Sequence, residues 1–192
     1  MKKSDFYFII LFALCLFSCN SEQKFNVTGT VADSEGRTIY LEASSIEGIV
    51  PLDSMKLKKD GTFKFSYKRP ESPEFYRLRI EDKVINFSVD STESIEITAL
   101  YRDFPVSYVI AGSENSAKIK ELSLLQIALQ KKVDALVEAS EKGRINAGAF
   151  EDSLRSVIQS YKDTVRINYI FAAPNKAFAY YALFQEVNGF MI

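Results

Sequence analysis

Apolar and polar side chains alternate along most of residues 25–112, and this alternation constrains the fold more than any other feature of the sequence. A period of two places every second side chain on the same face, so such a strand buries one face and exposes the other. Phe63, Phe65 and Tyr67 alternate strictly with polar residues. The segment 75–80 offers two different faces. About eight short strands at this spacing predict an antiparallel β-sandwich or a barrel-like domain.

Turn signals separate these strands. Asp60 and Gly61 lie between the apolar positions at Met55 and Phe63. Asp-Gly suits the positive φ angles of a tight turn, so this dipeptide predicts a β-hairpin. A second turn is predicted at 33–36, where the sequence reads Asp-Ser-Glu-Gly.

The period changes after Gly112 and Ser113, where apolar residues begin to recur at steps of three and four. This spacing predicts amphipathic helices over residues 113–192. We expect two to three helices, the first capped by Ser113 or Ser116 and packed with the second as a helical hairpin. The third is predicted over 177–187. The predicted fold class is therefore α+β, with an all-β domain at 25–112 followed by a helical segment.

The N-terminus has the pattern of an export signal. Lys2 and Lys3 precede an apolar run at 6–17, which is too short for a comfortable membrane span. The sequence Leu-Phe-Ser-Cys that ends at Cys19 resembles the lipobox of bacterial lipoproteins. We therefore predict a signal peptide at 1–18, lipidation of Cys19, and a tether at 19–24 that anchors the chain in a bacterial cell envelope, at the outer membrane. An ordinary secretory signal and an uncleaved anchor are the alternatives.

Composition excludes several kinds of chemistry. The sequence has 0 His, which excludes a Ser-His-Asp triad and His-ligated metals. Its 2 Cys are Cys15 and Cys19, so a chain lipidated at Cys19 would keep no free thiol. Lys plus Arg number 24 against 25 Asp plus Glu, a balance that gives no support for nucleic-acid binding. We predict no catalytic residue, no cofactor and no metal site.

Three groups of residues are candidate sites. Acid–hydroxyl pairs occur at 53–54, 90–91 and 152–153, but the sequence offers no base to activate the serine. Asp90, Glu93 and Glu96 could form a carboxylate pair for glycoside hydrolysis, but a turn between strands is the favoured interpretation. A third group is aromatic and could stack a ligand, although its helical spacing favours core packing; it comprises Tyr161, Tyr169, Tyr180 and Tyr181.

The order of motifs resembles the N-terminal region of Bacteroidetes-type thioredoxin-family lipoproteins. The segments that carry the resemblance are 25–31 (Phe-Asn-Val-Thr-Gly-Thr-Val), 52–55, 59–65, 73–78, 108–113 and the tail at 173–190. The resemblance implies a domain of unknown function and a helical linker, followed in that family by a thioredoxin domain bearing Cys-x-x-Cys. No such motif lies in this sequence, so no residue here inherits a redox role.

The function expected from these patterns is a non-enzymatic, membrane-anchored binding or scaffolding module. One alternative is the accessory N-terminal part of a periplasmic thiol–disulfide oxidoreductase. A weaker alternative is a glycan-binding β domain. The helix at 177–187 is apolar over much of its circumference, with only Gln185 and Glu186 strongly polar, and 190–192 are apolar. This pattern predicts that the tail packs against a following domain, a second subunit or a partner protein; packing onto the chain's own β domain is the alternative.

Overall fold

The computed structural model describes residues 23–187. The predicted signal peptide, Cys19 and the apolar end at 190–192 lie outside the described residues. Within the described part, eight strands are followed by three α-helices, which confirms the predicted α+β fold. The strands are β1 (Lys24–Ala32), β2 (Thr38–Ser45), β3 (Gly48–Lys56), β4 (Thr62–Lys68), β5 (Glu74–Ile80), β6 (Lys83–Val89), β7 (Ser94–Leu100) and β8 (Tyr108–Ala111).

The strands form two four-stranded sheets. The first sheet has the order β4-β1-β7-β8 and the second sheet the order β3-β2-β5-β6. Neighbouring strands are antiparallel with one exception, because β1 and β7 run parallel. The two sheets share one apolar interior, so the β domain is a sandwich.

Alternating side chains fill the space between the sheets. In β5, Tyr76 and Leu78 are buried in this interior, whereas Phe75 and Arg77 lie on the outer face. The two faces predicted for this segment are therefore confirmed. The core of the sandwich comprises Phe25, Val27, Val31, Ile39, Leu41, Leu57, Phe63, Phe65, Tyr76, Leu78, Ile80, Ile85, Phe87, Val89, Ile95, Ile97, Ala99, Phe104 and Tyr108.

The parallel pair packs unusually closely at Gly29. A Cβ built on Gly29 would lie 1.8 Å from the carbonyl oxygen of Ile97. Since no side chain fits at that distance, this position requires glycine. The Val-Thr-Gly-Thr-Val sequence of β1 thus accommodates β7 without interrupting the strand.

The hairpin predicted at Asp60 and Gly61 is wrong. Gly61 does have a positive φ of 65°, as a tight turn requires. However, the turn joins β3 of the second sheet to β4 of the first sheet, and these strands do not pair. The reason is Leu57, which is buried at the end of β3 and bonds through its N–H to the carbonyl of Arg37 at 2.8 Å. With Leu57 held there, the chain crosses to the first sheet, and the next strand does not pair with β3.

The helical segment consists of α1 (Glu114–Glu141), α2 (Ala147–Val165) and α3 (Ala177–Val187), with a π-helical segment, Arg166–Phe171, after α2. The side chain of Ser113 caps α1 by accepting a hydrogen bond from the N–H of Ser116 at 3.3 Å. Packing of α1 against α2 confirms the predicted helical hairpin. Among the residues described, no helix is long and apolar enough to cross a membrane.

The first helix closes one side of the sandwich. Strands β6 and β8 are edge strands, one in each sheet, and α1 packs against both. The hydroxyl of Ser116 donates to the carbonyl of Ser88 at 2.9 Å and accepts from the N–H of Ser88 at 3.3 Å. The ammonium of Lys120 donates to the carbonyl of Tyr108. These bonds satisfy backbone groups that an uncovered edge would present to another chain.

The third helix folds back onto the rest of the chain. Phe178, Tyr181 and Ala182 are buried against α1 and the π-helical segment, while Tyr180 and Leu183 are about half exposed. α3 therefore packs mainly on the chain's own helices and meets the β domain through Phe75, and a partner for its exposed side chains stays a prediction. The second core comprises Ile119, Leu122, Leu129, Tyr161, Val165, Tyr169, Phe178, Ala179, Tyr181 and Ala182.

Candidate functional site

The outer face of the second sheet carries a row of polar side chains. Because β2, β5 and β6 are antiparallel neighbours, their register places Glu42 opposite Arg77, and Arg77 opposite Asn86. In an alternating strand these three positions share a face. That face is the one against which α1 and α3 lie.

Glu42 is the centre of an ion cluster. Its side chain is only 2% exposed, and it accepts two hydrogen bonds from guanidinium groups. Arg77 Nε lies 2.5 Å from Glu42 Oε2, and Arg79 Nε lies 2.8 Å from Glu42 Oε1. A buried carboxylate needs such partners because burial removes its hydration. Two guanidinium groups share one carboxylate, so the cluster carries one positive charge in excess.

The two arginines differ in their remaining contacts. Arg79 also donates from Nη1 to the carbonyl of Glu81 at 3.2 Å, and its Cζ lies 4.2 Å from the centre of the Tyr40 ring. Within the described residues, the terminal Nη atoms of Arg77 have no such partner. Arg77 instead lines a cleft.

This junction cleft lies between the outer face of the second sheet and helices α1 and α3, and its volume is about 250 Å³. Its polar wall includes Arg77 and Asn86 from the sheet and Gln185 from α3. Gln185 is 7% exposed, and its Oε1 has no hydrogen-bond partner within residues 23–187. The full lining is Ser44, Ile49, Arg77, Val84, Asn86, Gln126, Tyr181, Phe184 and Gln185.

Aromatic contacts hold α3 beside the cleft. The ring of Phe75 packs edge-on against Tyr181 at 5.3 Å and is stacked with Phe184 at 6.5 Å between centroids. Burial raises the pKa of Tyr181 to about 12, while hydrogen bonds with Gln185 and Ser123 act in the opposite direction. Tyr181 is therefore a neutral phenol at physiological pH and part of the packed junction.

The four tyrosines of the candidate ligand-stacking group do not form one surface. Tyr161, Tyr169 and Tyr181 are buried in the second core, while Tyr180 is half exposed. Core packing, the favoured interpretation, is thus confirmed for three of them. Burial raises the pKa of Tyr169 to about 12, with the charge of Glu121 as the next contribution.

The other sites considered from the sequence form no catalytic arrangement in the described residues. The segment from Asp90 to Glu93 is a turn between β6 and β7, as predicted, and the carboxylate of Glu93 accepts the N–H of Asp90 at 3.0 Å. Asp53 accepts the N–H of Ser54 at 2.7 Å on an exposed strand. Residues 23–187 hold no group of three or more His, Cys, Asp or Glu suited to a metal ion. Cys19, the predicted lipidation site, lies outside the described part.

The sequence pattern alone does not identify Glu42, Arg77 and Gln185 as a group. A signal for the first two does exist, because Arg77 and Arg79 occupy the outward positions of a strand and Glu42 occupies an outward position of an earlier one. Such charges would be expected to meet if the two strands pair. Gln185 gives no comparable signal, since it reads as the polar side of an apolar helix.

One part of the chain matches the model of a known family. Residues 25–119 match the family model described as Domain of unknown function (DUF4369). The match spans the whole sandwich and ends within α1, just after Ser116. It supports the domain of unknown function implied by the resemblance; the link to thioredoxin-family proteins stays a prediction.

Other comparisons add little. No curated protein matches the chain. Among solved structures, a crystal structure of (S)-allantoin synthase is 12% identical, with a TM-score of 0.34, over 49% of this chain and 45% of that chain. The chain thus spans less than half of that protein, and so weak a likeness has no bearing on fold or activity. Residues 25–119 form an N-terminal domain of unknown function that matches the DUF4369 family.

Proposed function

We propose that the chain is a non-enzymatic, lipid-anchored module of a bacterial cell envelope that binds or scaffolds a partner at a membrane. The observation that carries the binding role is the junction cleft, where an arginine in excess of its acid and a buried amide, whose oxygen has no hydrogen-bond partner among the described residues, line a space open to a ligand. The composition agrees with a binding role, because 0 His and 2 N-terminal Cys leave few routes to acid–base or thiol chemistry.

The anchoring role rests on the lipobox-like motif Leu-Phe-Ser-Cys, whose last residue is Cys19, and on the short distance from Cys19 to the sandwich. Strand β1 begins at Lys24. The chain from Cys19 to Lys24 can span at most roughly 18 Å when fully extended. A chain lipidated at Cys19 would therefore hold the sandwich close to the lipid headgroups, with the outer membrane as the proposed location.

Two matched cysteine variants test the anchor. With Cys19→Ala, the protein should lose radiolabelled palmitate and leave the membrane fraction, or accumulate as an unprocessed precursor. With Cys15→Ala, labelling and membrane retention should be unchanged, because Cys15 lies inside the predicted signal peptide. Membrane retention of the parent chain without any lipid label would contradict the proposal.

The alternative role as an accessory part of a thiol–disulfide oxidoreductase has one observation in its favour, the resemblance of motifs from 25–31 through 173–190. The catalysis in that role would belong to a Cys-x-x-Cys domain. No residue of the present sequence can supply it. In either role, the chain itself would bind and position a partner.

A further inference from the structure

We propose that the junction cleft binds a carboxylate attached to a small apolar group and an amide, which is the chemistry of the carboxyl-terminal residue of a peptide. The proposal deepens the binding role proposed above and rests on it. Three features of the cleft carry it: an excess positive charge, an unpartnered buried amide oxygen, and an apolar wall.

The charge favours an anion. Glu42 neutralises one guanidinium, and both Arg77 and Arg79 bond to it. All three side chains are largely withdrawn from solvent, with Arg77 24% and Arg79 28% exposed. An unbalanced charge in such a place interacts more strongly with a second anion than it would in water. A second carboxylate beside this cluster would therefore be bound favourably.

The position of that anion is set by Arg77. Its Nε is fixed on Glu42 at 2.5 Å, which holds the planar guanidinium group in one orientation. A guanidinium has five N–H donors in a rigid fork that matches the two oxygens of a carboxylate. The terminal donors have no partner in the described residues, and Arg77 lines the cleft. Arg79 does not line it, because its remaining contacts are with Glu81 and Tyr40.

The amide of Gln185 supplies the complementary acceptor. The side chain is more than nine-tenths buried and lines the same cleft, and it hydrogen-bonds the hydroxyl of Tyr181. Its Oε1 has no partner among the residues that the structure describes. A buried carbonyl oxygen without a donor is costly, so the cleft favours a ligand with an N–H group. A peptide end provides both a carboxylate and an N–H on the same residue.

The rest of the lining limits the size and polarity of the ligand. Ile49, Val84 and Phe184 form apolar walls that suit an aliphatic side chain. The volume of about 250 Å³ is below the roughly 300–1,000 Å³ of cavities that take drug-sized ligands. Only one or two residues of a peptide would therefore enter the cleft.

Calorimetric titration of the full chain, purified from membranes in a mild non-ionic detergent, tests the proposal directly. The probes are N-acetyl-alanyl-leucine and the same compound with a carboxyl-terminal amide, which differ only in the charged group. The acid should bind at least about tenfold more tightly than the amide, the factor expected for one charge-assisted pair. Equal binding of the two, or no binding of the acid, would overturn the proposal without any variant having to fold.

Two variants then locate the binding group. Arg77→Gln and Arg79→Gln each remove one guanidinium from Glu42 and leave it one partner, but only the first removes donors from the cleft wall. Arg77→Gln should weaken binding of the acid at least about tenfold, and Arg79→Gln by about threefold or less. Equal losses in two folded variants would refute the assignment of Arg77.

The result is separable from the test of the anchor. If the acid fails to bind while Cys19 carries lipid, the cleft proposal fails and the envelope role stands. If Cys19 carries no lipid while the acid binds through Arg77, the anchor fails and the cleft proposal stands.

Discussion

The two sheets of the sandwich bury similar inner faces but present very different outer faces. On the first sheet, Thr30 pairs with Thr62 on one side and with Thr98 on the other, which gives a polar row across three strands. On the second sheet, the outer positions of β5 include Phe75 and Arg77. The helices pack on β6 and β8, and α3 reaches β5 through Phe75, while in the described part of the chain they make no extensive contact with β1 or β4.

This difference shows what determines where the helices dock on the sandwich. Alternation alone separates the inside of a sandwich from its outside. A single large aromatic residue at an outward position then marks where another element will dock, because its exposure would be costly. Phe75 is that residue here, since it contacts Tyr181 and Phe184 of α3. The threonine row of the first sheet offers no comparable apolar area.

The largest loss in the free energy of unfolding is expected when the outer face of the second sheet is made to resemble that of the first. Phe75→Thr removes the aromatic contact with α3 and should lower the free energy of unfolding by about 3 kcal/mol. The matched change on the uncovered face, Thr98→Ala, should alter it by less than about 0.5 kcal/mol. Denaturant unfolding measures both, and amide hydrogen exchange should show faster exchange in α3 for the first variant only. Similar losses of unfolding free energy in the two variants would contradict the difference between the two outer faces.

The next largest loss in the free energy of unfolding is expected at high pH. Burial raises the pKa of Tyr181 from 10.0 to about 12. Above pH 10 the unfolded chain releases this proton while the folded chain retains it. Stability is therefore complete below pH 10 and falls as the pH rises to about 12, by about 2 kcal/mol for a shift of this size.

Tyr169, whose pKa is also raised to about 12, contributes in the same pH range. Tyr181→Phe should therefore reduce the slope of unfolding free energy against pH between 10 and 12 without abolishing it. Urea unfolding at a series of alkaline pH values provides the measurement. An unchanged slope in the variant would show that Tyr181 is not buried as a neutral phenol.

A smaller effect is expected at the edge that α1 covers. Ser116→Ala leaves the N–H of Ser88 without the hydroxyl that accepts it at 3.3 Å, and should cost about 1–2 kcal/mol. Exchange of the Ser88 amide proton, followed by NMR, should accelerate. Thr164→Ala in α2 is a weaker perturbation, because that hydroxyl bonds to the carbonyl of Ser160 within its own helix. If the Ser88 amide stays protected in Ser116→Ala, the edge is covered by some other group.

Much of the fold could be predicted because it depends on local patterns. Strict alternation around Phe63 and Phe65 is enough to specify an inward face, and the helix predicted over 177–187 is α3 as found. The capping role of Ser113 follows from a side chain that can accept the N–H three residues later. These features require no knowledge of distant parts of the chain.

Features that depend on distant partners could not be predicted. The turn at Asp60 and Gly61 has the local conformation expected of a hairpin, yet the strands on either side belong to different sheets. Strand β3 begins at Gly48, but its first half has no alternation and contains Pro51, so a strand is hard to predict there. The same limit applies to the cleft, because Arg77 meets Glu42 only through the pairing of β2 with β5.

The position of β1 has a mechanical consequence for a tethered protein. β1 is the first strand after the proposed anchor, and it lies inside the first sheet between β4 and β7. Its residues pair from Lys24 with one neighbour and from Asn26 with the other. Tension applied through a lipid at Cys19 would therefore have to break two ladders of hydrogen bonds at once. A strand at the edge of a sheet would separate along one ladder only, so this arrangement suits a domain that is pulled by its N-terminus.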